Sequence, residues 1–312
     1  MLVVLLLILG LGLMVKSAQL FVDGAIHIAQ HFKLSDLTIG VTILAIGTSL
    51  PEMVIALLNV VRGHSELVLG TIIGSSVSNV LLITGVAAIL APLIIRRELL
   101  QRQLPYTLGA LLLLMGISAF DHQFGLFDGI LLLGVFGGFM YLLYGHHIRY
   151  RQEAPPTTAA LHPVHSILLL LVGGIGLYLG GWLASSSSLQ LVEIFNVSQS
   201  LLGLTLISLG TTLPELITAI IASLKRHPDL AFGNVLGSVV FNCCAIIGIS
   251  AIIHPFATTT TTTYLFTLLL GALALMFLTI VIGKKKQQIE RWEGLALVCA
   301  YCLYIAVVAW KV

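Results

Sequence analysis

An all-α, polytopic membrane protein with ten transmembrane helices in two inverted five-helix repeats is the fold class that this sequence predicts. Three observations carry the prediction. Of 312 residues, 58% are hydrophobic and only 9% charged, against roughly 25% charged in a soluble domain. Apolar runs of spanning length, about 17–25 residues, recur from end to end. And one segment occurs twice: residues 40–92 align without a gap on 203–255 at a constant offset of 163, with 20 of 53 positions identical. The identities include Gly47/Gly210, Pro51/Pro214, Glu52/Glu215, Gly74/Gly237, Ser75/Ser238, Asn79/Asn242 and Pro92/Pro255. Hydrophobic composition alone would match Leu with Ile, not these.

Taken in order, the apolar runs fall at 2–22, 37–61, 67–92, 104–120, 126–145, 164–184, 200–224, 230–253, 264–283 and 293–310. The first lacks a basic region ahead of it and reads as a span, not a cleaved signal, with Lys16 and Asp23 interrupting its end. The longest hydrophilic connection, 146–163, carries His146, His147, Arg149, Arg151, Glu153 and Pro155-Pro156. It divides the chain into a first repeat (1–145), a linker (146–163) and a second repeat (164–312). The run Thr258–Thr263 reads as a loop before the ninth helix, a β-prone edge being the alternative. Cys243, Cys244, Cys299 and Cys302 all lie in apolar segments, so no disulfide framework is visible.

The basic residues orient the chain. Alternation of ten helices puts Lys16, Lys33, Arg96, Arg97, Arg102, Arg149, Arg151, Lys225, Arg226, Lys284, Lys285, Lys286 and Arg291 on one side, and only Arg62 and Lys311 on the other. The basic side is then cytoplasmic, the linker with it, and both termini face outward. Because each half holds five helices, an odd number, the second half enters the bilayer upside down relative to the first, the plan of many secondary transporters.

The repeated motif Gly-Thr-Ser/Thr-Leu-Pro-Glu carries the chemistry. On a helix Ala45, Thr48, Ser49 and Glu52 share one face, as do Ser208, Thr211, Thr212 and Glu215. Pro51 and Pro214 have no N–H, so the carbonyls of Gly47 and Gly210 lose their helical donors. A freed carbonyl in hydrocarbon is tolerated only where protein or a cavity receives it. The plain structural alternative is a kink with the hydroxyls bonded back to the helix. Against it stand the two glutamates, the only acidic residues near mid-span, each costing about 2.5–3.5 kcal/mol to insert. The next helix of each half adds Ser75 with Asn79 and Ser238 with Asn242, both i, i+4. Gly70 with Gly74 and Gly233 with Gly237 form G-x-x-x-G, which permits close helix packing. Asp23, Asp36, Glu66, Asp121, Asp128, Asp229, Glu290 and Glu293 fall at helix starts or beside loops and are assigned no function.

All these donors are hard oxygens, without His or Cys, so zinc and copper fit poorly. Two carboxylates match one Ca²⁺, which takes six to eight oxygens, whereas Mg²⁺ holds its water too tightly for a dry cage. The same cage could instead hold several Na⁺ ions. No resident cofactor is implied.

At these residues the chain resembles the calcium/cation antiporter superfamily, specifically its prokaryotic sodium/calcium exchanger branch. The likeness covers both repeats and the ten-helix plan. It implies electrogenic antiport in a bacterial inner (plasma) membrane, Na⁺ entry driving Ca²⁺ export through one site that faces each side in turn. It also implies ion ligands at Ala45, Thr48, Ser49, Glu52, Ser75, Asn79, Ser208, Thr211, Thr212, Glu215, Ser238 and Asn242, and first helices of each half that slide over the rest. Two departures stand out. Ser208 replaces a small apolar residue, and Asn242 stands where some members carry Asp, which puts the Na⁺ number in question and argues against a potassium-dependent exchanger.

Other classes fit less well. Protons could neutralise the glutamates, making Ca²⁺/H⁺ antiport the nearest rival. A channel would need acidic rings at its mouths, usually from several subunits. An intramembrane enzyme would need a His beside a mid-span Ser, or paired aspartates. The histidines His146, His147, His162 and His165 read as solvated linker rather than a surface metal site. The expected partners are the two ions and the bilayer, with no nucleic acid and no obligatory protein partner.

Overall fold

A computed structural model describes residues 2–61, 65–95, 99–149, 163–194, 208–282 and 287–311. The chain is almost entirely helical and is built as an integral membrane protein. Among the described residues, eight helices are long and apolar enough to cross a bilayer, or nine if the bent pair Asp36–Thr48 and Leu50–Val61 counts as one span; Gly210–Leu224 is a shorter apolar helix.

The helices are α1 Leu2–Phe32, α2 Asp36–Ile39, α3 Ala45–Thr48, α4 Leu50–Val61, α5 Ser65–Val77, α6 Thr84–Leu90, α7 Leu104–Phe120, α8 Leu126–Arg149, α9 Pro163–Ile194, α10 Ser208–Leu224, α11 Pro228–Val240, α12 Ile247–Ile253, α13 Thr260–Ile282 and α14 Arg291–Lys311. Wider π-helical turns join three of these pairs: Gly40–Leu44 between α2 and α3, Ser78–Ile83 between α5 and α6, and Phe241–Ile246 between α11 and α12; a fourth, Leu99–Gln103, leads into α7. The turns at 78–83 and 241–246 are themselves 163 residues apart, as are α5 and α11, and α6 and α12. The repeat in sequence is therefore a repeat in local structure, down to an unusual helical turn.

Among the described residues, four two-residue strands tie the two halves together. β1 (Leu93–Ile94) pairs with β4 (Gln288–Ile289), and β2 (Gln123–Phe124) with β3 (Phe256–Ala257), both antiparallel, with Leu93 opposite Ile289 and Phe124 opposite Phe256. Each strand thus pairs with one from the other half. The outer helices cross over in the same way: α14 lies on α6, and α8 on α12. A Cβ on Gly85 would sit 2.7 Å from the Gly294 carbonyl, and one on Gly129 would sit 2.6 Å from that of Gly248. Helix association in lipid relies on such close backbone approach through small residues.

The spans Val68–Leu90 and Pro228–Ile253 are the most buried and form the centre of the molecule. α1 and α9, 31 and 32 residues long, pack along each other and lie against α10 and the 36–48 segment. Their outward faces, with Leu5, Ile8, Leu9, Leu168, Leu171 and Ile175, are exposed, as a lipid-facing surface requires.

Several boundaries depart from the sequence reading. The first span runs to Phe32, so Lys16 and Asp23 lie inside a helix, not at its end. Lys16 therefore leaves the set of basic loop residues. Asp23 is held in place by an ion pair with Lys225. The threonine run is not a loop. α13 begins at Thr260, and Thr259 caps it reciprocally: Thr262 N–H donates to Thr259 Oγ1 (3.3 Å) and Thr259 N–H to Thr262 Oγ1 (3.2 Å), a capping arrangement that polar residues favour. Glu293 is buried, and its carboxylate accepts the Glu290 N–H at 2.7 Å at the start of α14. Asp128 does the same for Gly125 N–H (2.8 Å) at the start of α8. Most of the linker, with His162, and the side chains of His146 and His147 lie outside the described residues; His165 is exposed on α9.

Candidate functional site

The first copy of the motif is a broken helix. The 36–48 segment and α4 meet at 45°, and the hinge is Ser49, whose φ of −86° and ψ of 4° leave helical geometry. Pro51 explains the break, because it has no N–H to return to Gly47. Ser49 N–H still reaches the Ala45 carbonyl (3.1 Å), and Met53 N–H reaches the Ser49 carbonyl (3.1 Å). Glu52 consequently falls in the first turn of α4, where the helix dipole favours a negative charge. The second copy differs. α10 runs through Pro214 as one helix from Ser208 to Leu224.

Glu52 and Glu215 are both fully buried and lie close enough to interact electrostatically. Each is served by hydroxyls of the other copy. Ser49 Oγ donates to Glu215 Oε1 at 2.9 Å, and Thr48 also faces Glu215; Thr211, the counterpart of Thr48, faces Glu52. Ser75 Oγ and Thr211 Oγ1 are 3.4 Å apart, so the helix after the first motif also reaches the second. Ala45 is buried beside them. Thr212 is also buried. Ser208 opens α10, but its side chain lies outside the described residues.

Asn79 and Asn242 are each the second residue of their π turns. A π turn inserts one residue into the helical ladder and is frequent at functional sites. Both amides are fully buried without a hydrogen-bond partner on either atom, as are both oxygens of Glu52, Oε2 of Glu215 and the hydroxyl of Ser238. Buried polar atoms are normally paired, and leaving them unpaired is costly. Among the described residues, the ion pairs are Lys225 with Asp23 and His227 with Asp36, neither of which involves Glu52 or Glu215. A hard cation would satisfy the oxygens among these atoms. No group of three His, Cys, Asp or Glu able to hold a metal occurs among the described residues.

Close packing brings the donors together. A Cβ on Gly237 would stand 2.6 Å from Ala45 Cβ and 2.7 Å from Val41 Cα, so α11 presses onto the 36–48 segment of the other half. The G-x-x-x-G of Gly233 and Gly237 therefore packs one half on the other. Sequence reasoning missed Asn234. It is fully buried on α11, and Thr48 Oγ1 donates to its Oδ1 at 3.3 Å as well as to the Leu44 carbonyl at 3.0 Å. The signal was present: Asn234, Ser238 and Asn242 are spaced i, i+4, i+8 and form one polar stripe. Cys243 and Cys244, both buried, follow Asn242 in the π turn.

Comparison with known proteins agrees with this architecture. The sodium/calcium exchanger protein family model matches residues 2–145 and 165–310. The chain is 33% identical to the putative antiporter CaxA of Alkalimonas amylolytica, over 95% of each protein. It is 26% identical to the sodium/calcium exchanger MaX1 of Methanosarcina acetivorans, over 97% of each. Its fold superimposes on the sodium-calcium exchanger NCX_Mj, soaked with 2.5 mM Na⁺ and 0.1 mM Ca²⁺, with a TM-score of 0.80, 27% identity and 98% coverage of both chains. These relatives are named as antiporters and exchangers, not enzymes.

Proposed function

The chain belongs to the sodium/calcium exchanger protein family, and from that premise we propose that it is a secondary active antiporter exchanging Na⁺ for Ca²⁺ by alternating access at one mid-membrane site. The observation that carries this reading is the buried pair Glu52 and Glu215, each facing the other copy's hydroxyls, with three of the four carboxylate oxygens lacking a hydrogen-bond partner.

Ca²⁺ binds between the two glutamates and neutralises both. Thr48, Ser49, Ser75, Thr211, Thr212 and Ser238 supply hydroxyl oxygens. Asn79 and Asn242 supply amide oxygens, and Ala45 and Ser208 supply backbone carbonyls. Na⁺ competes for the same oxygens, so the two loads exclude each other. With neither ion, two close anions face each other in low dielectric, which is unfavourable; this discourages crossings without an ion and enforces exchange over leak. Asn242, neutral in this chain, gives the site one fewer potential charge than an Asp would.

The surrounding plan is ten helices in two inverted repeats, 1–145 and 164–312, joined by a cytoplasmic linker at 146–163. The strand and helix pairings across the halves support it, because each contact recurs with the halves exchanged. α1 and α9 are the pair that slides over the rest; small residues line their mutual contact, with Gly173 of α9 against the backbone of α1 at Ser17 and Phe21. The basic residues orient the protein in a bacterial inner membrane with both termini outside.

Flux in vesicles tests the reading. An outward-directed Na⁺ gradient should draw ⁴⁵Ca²⁺ into Na⁺-loaded vesicles, and the movement should create a membrane potential. A Na⁺ gradient that fails while a pH gradient succeeds would assign proton coupling instead. Single-channel currents would remove the antiport reading altogether.

A further inference from the structure

Away from the glutamates, a cavity of about 300 Å³ opens at the basic end of the bundle. Its polar wall is formed by Ser35, Thr38, Arg102, Gln103 and Tyr106, and its apolar wall by α8 at Phe139. Gln103 is only 8% exposed, and its Oε1 has no hydrogen-bond partner. The local hydroxyls do not reach it: Ser35 Oγ and Thr38 Oγ1 are bonded to each other at 2.8 Å, and Tyr106 donates to the Val135 carbonyl. An acceptor buried in that position calls for a donor from outside the chain, and Arg102 in the same wall calls for an anion.

A second crevice of about 770 Å³ is bounded by Thr42, Ile46 and Met140, on the same two segments as the first, and closed by Leu170, Leu171 and Tyr178 of α9. Thr42 is one turn beyond Thr38 and donates to its carbonyl at 2.6 Å; Met140 directly follows Phe139. The crevice is almost wholly apolar and is walled by helices of spanning length and apolarity; in such a setting water is a poor occupant and an acyl chain a good one. A polar cavity with a cation, a buried acceptor and an apolar crevice lined by the next residues of the same segments matches one molecule.

We propose that the cavity at Arg102 and Gln103 binds the head group of an anionic, hydroxyl-bearing glycerophospholipid of the phosphatidylglycerol class, with one acyl chain in the crevice between the 42–54 segment and α9. The phosphate pairs with Arg102 and a head-group hydroxyl donates to Gln103 Oε1. Because the chain lies against α9, the bound lipid touches a helix of the long α1–α9 pair.

Lipid adducts on the delipidated, detergent-solubilised full chain test this by native mass spectrometry, with melting temperature as a parallel measure. Phosphatidylglycerol should be retained about fivefold over phosphatidylcholine, the preference expected from one arginine near the surface. Arg102→Gln should bring the ratio close to one. Gln103→Leu should weaken phosphatidylglycerol but leave phosphatidic acid, which lacks head-group hydroxyls, unchanged. Leu142→Trp, at an exposed position of the cavity rim, should reduce both. Equal retention of the two lipids by the unmodified protein, or an unchanged ratio in Arg102→Gln, would overturn the proposal. So would glycerol 3-phosphate raising the melting temperature as much as the lipid, since that would make the cavity a free-phosphate site.

Discussion

Gly237→Ala places the smallest possible side chain at the contact that assembles the site. Its methyl carbon would stand 2.6 Å from Ala45 Cβ, 2.7 Å from Val41 Cα and closer still to the Val41 carbonyl, where ordinary contact begins at 3.4 Å. Two of these three neighbours are backbone atoms and cannot rotate away, so α11 and the 36–48 segment must separate by about 0.7 Å or more. Overpacking of this kind costs about 1–3 kcal/mol, partly offset by up to about 1 kcal/mol from alanine's better helix propensity. Gly12 is the control, because a Cβ there would meet nothing within 4 Å; Gly12→Ala should receive only the gain. Thermal unfolding in detergent should therefore rank Gly12→Ala above the unmodified protein and Gly237→Ala below it. Transport should fall further than stability, by about tenfold or more, because a shift near 1 Å displaces Asn234 from Thr48, which donates to it at 3.3 Å, and such misplacements are costly. If Gly237→Ala matches the unmodified protein in both melting temperature and ⁴⁵Ca²⁺ flux, the contact is not tight and the account of how α11 is seated is wrong.

Glu52→Gln and Glu215→Gln should each abolish Ca²⁺ flux while the protein still folds in detergent; near-normal flux in either would count heavily against the paired-carboxylate site. Ser49→Ala removes the 2.9 Å bond to Glu215 and should raise half-saturating Ca²⁺ about tenfold or more, given the strength of hydrogen bonds to charged groups; Ser49→Thr should recover much of the loss, and identical saturation curves would refute the role. His227 Nδ1 lies 2.6 Å from Asp36 Oδ2 in the turn before α11, and this hydrogen bond raises the His227 pKa above its usual value. The protonated imidazole is thus favoured in the folded protein. Its contribution to stability is fully present below about pH 6.5 and is lost as pH rises through the higher folded value. Melting temperatures from pH 6 to 9 should fall through that window in the unmodified protein relative to His227→Gln; parallel curves would show that the pair contributes nothing.

The candidate site was legible where chemistry repeats. A glutamate and a proline inside an apolar span stand out against hydrocarbon, and their return 163 residues later, with Ser75/Ser238 and Asn79/Asn242, marked residues that the fold then buried. Asn234 escaped because the reading stopped at Ser238 and did not extend the stripe back one turn. Its counterpart Thr71 is also polar but not an amide, so the identity between the repeats that marked the other residues was missing. The true length of α1 escaped because Lys16 and Asp23 look like helix ends to any hydropathy reading. A long side chain can snorkel and Asp23 finds Lys225, two facts that depend on neighbours far away in sequence. The Thr259–Thr262 cap escaped because a threonine run says nothing about which hydroxyl will meet which N–H.

By itself, the sequence determined that the chain lives in a bilayer, that it is built twice, and that two carboxylates must be accommodated away from water; composition, periodicity and repetition suffice for these, because each is a property of one segment or of two aligned segments. Only the tertiary structure decided that Ser49 of one copy bonds Glu215 of the other, that strands and outer helices pair across the halves, and that the hinge falls at Ser49 while α10 stays continuous through Pro214. The physical reason is that a buried polar atom accepts whatever partner the packing delivers, and packing in lipid is set by which small residues let two backbones touch.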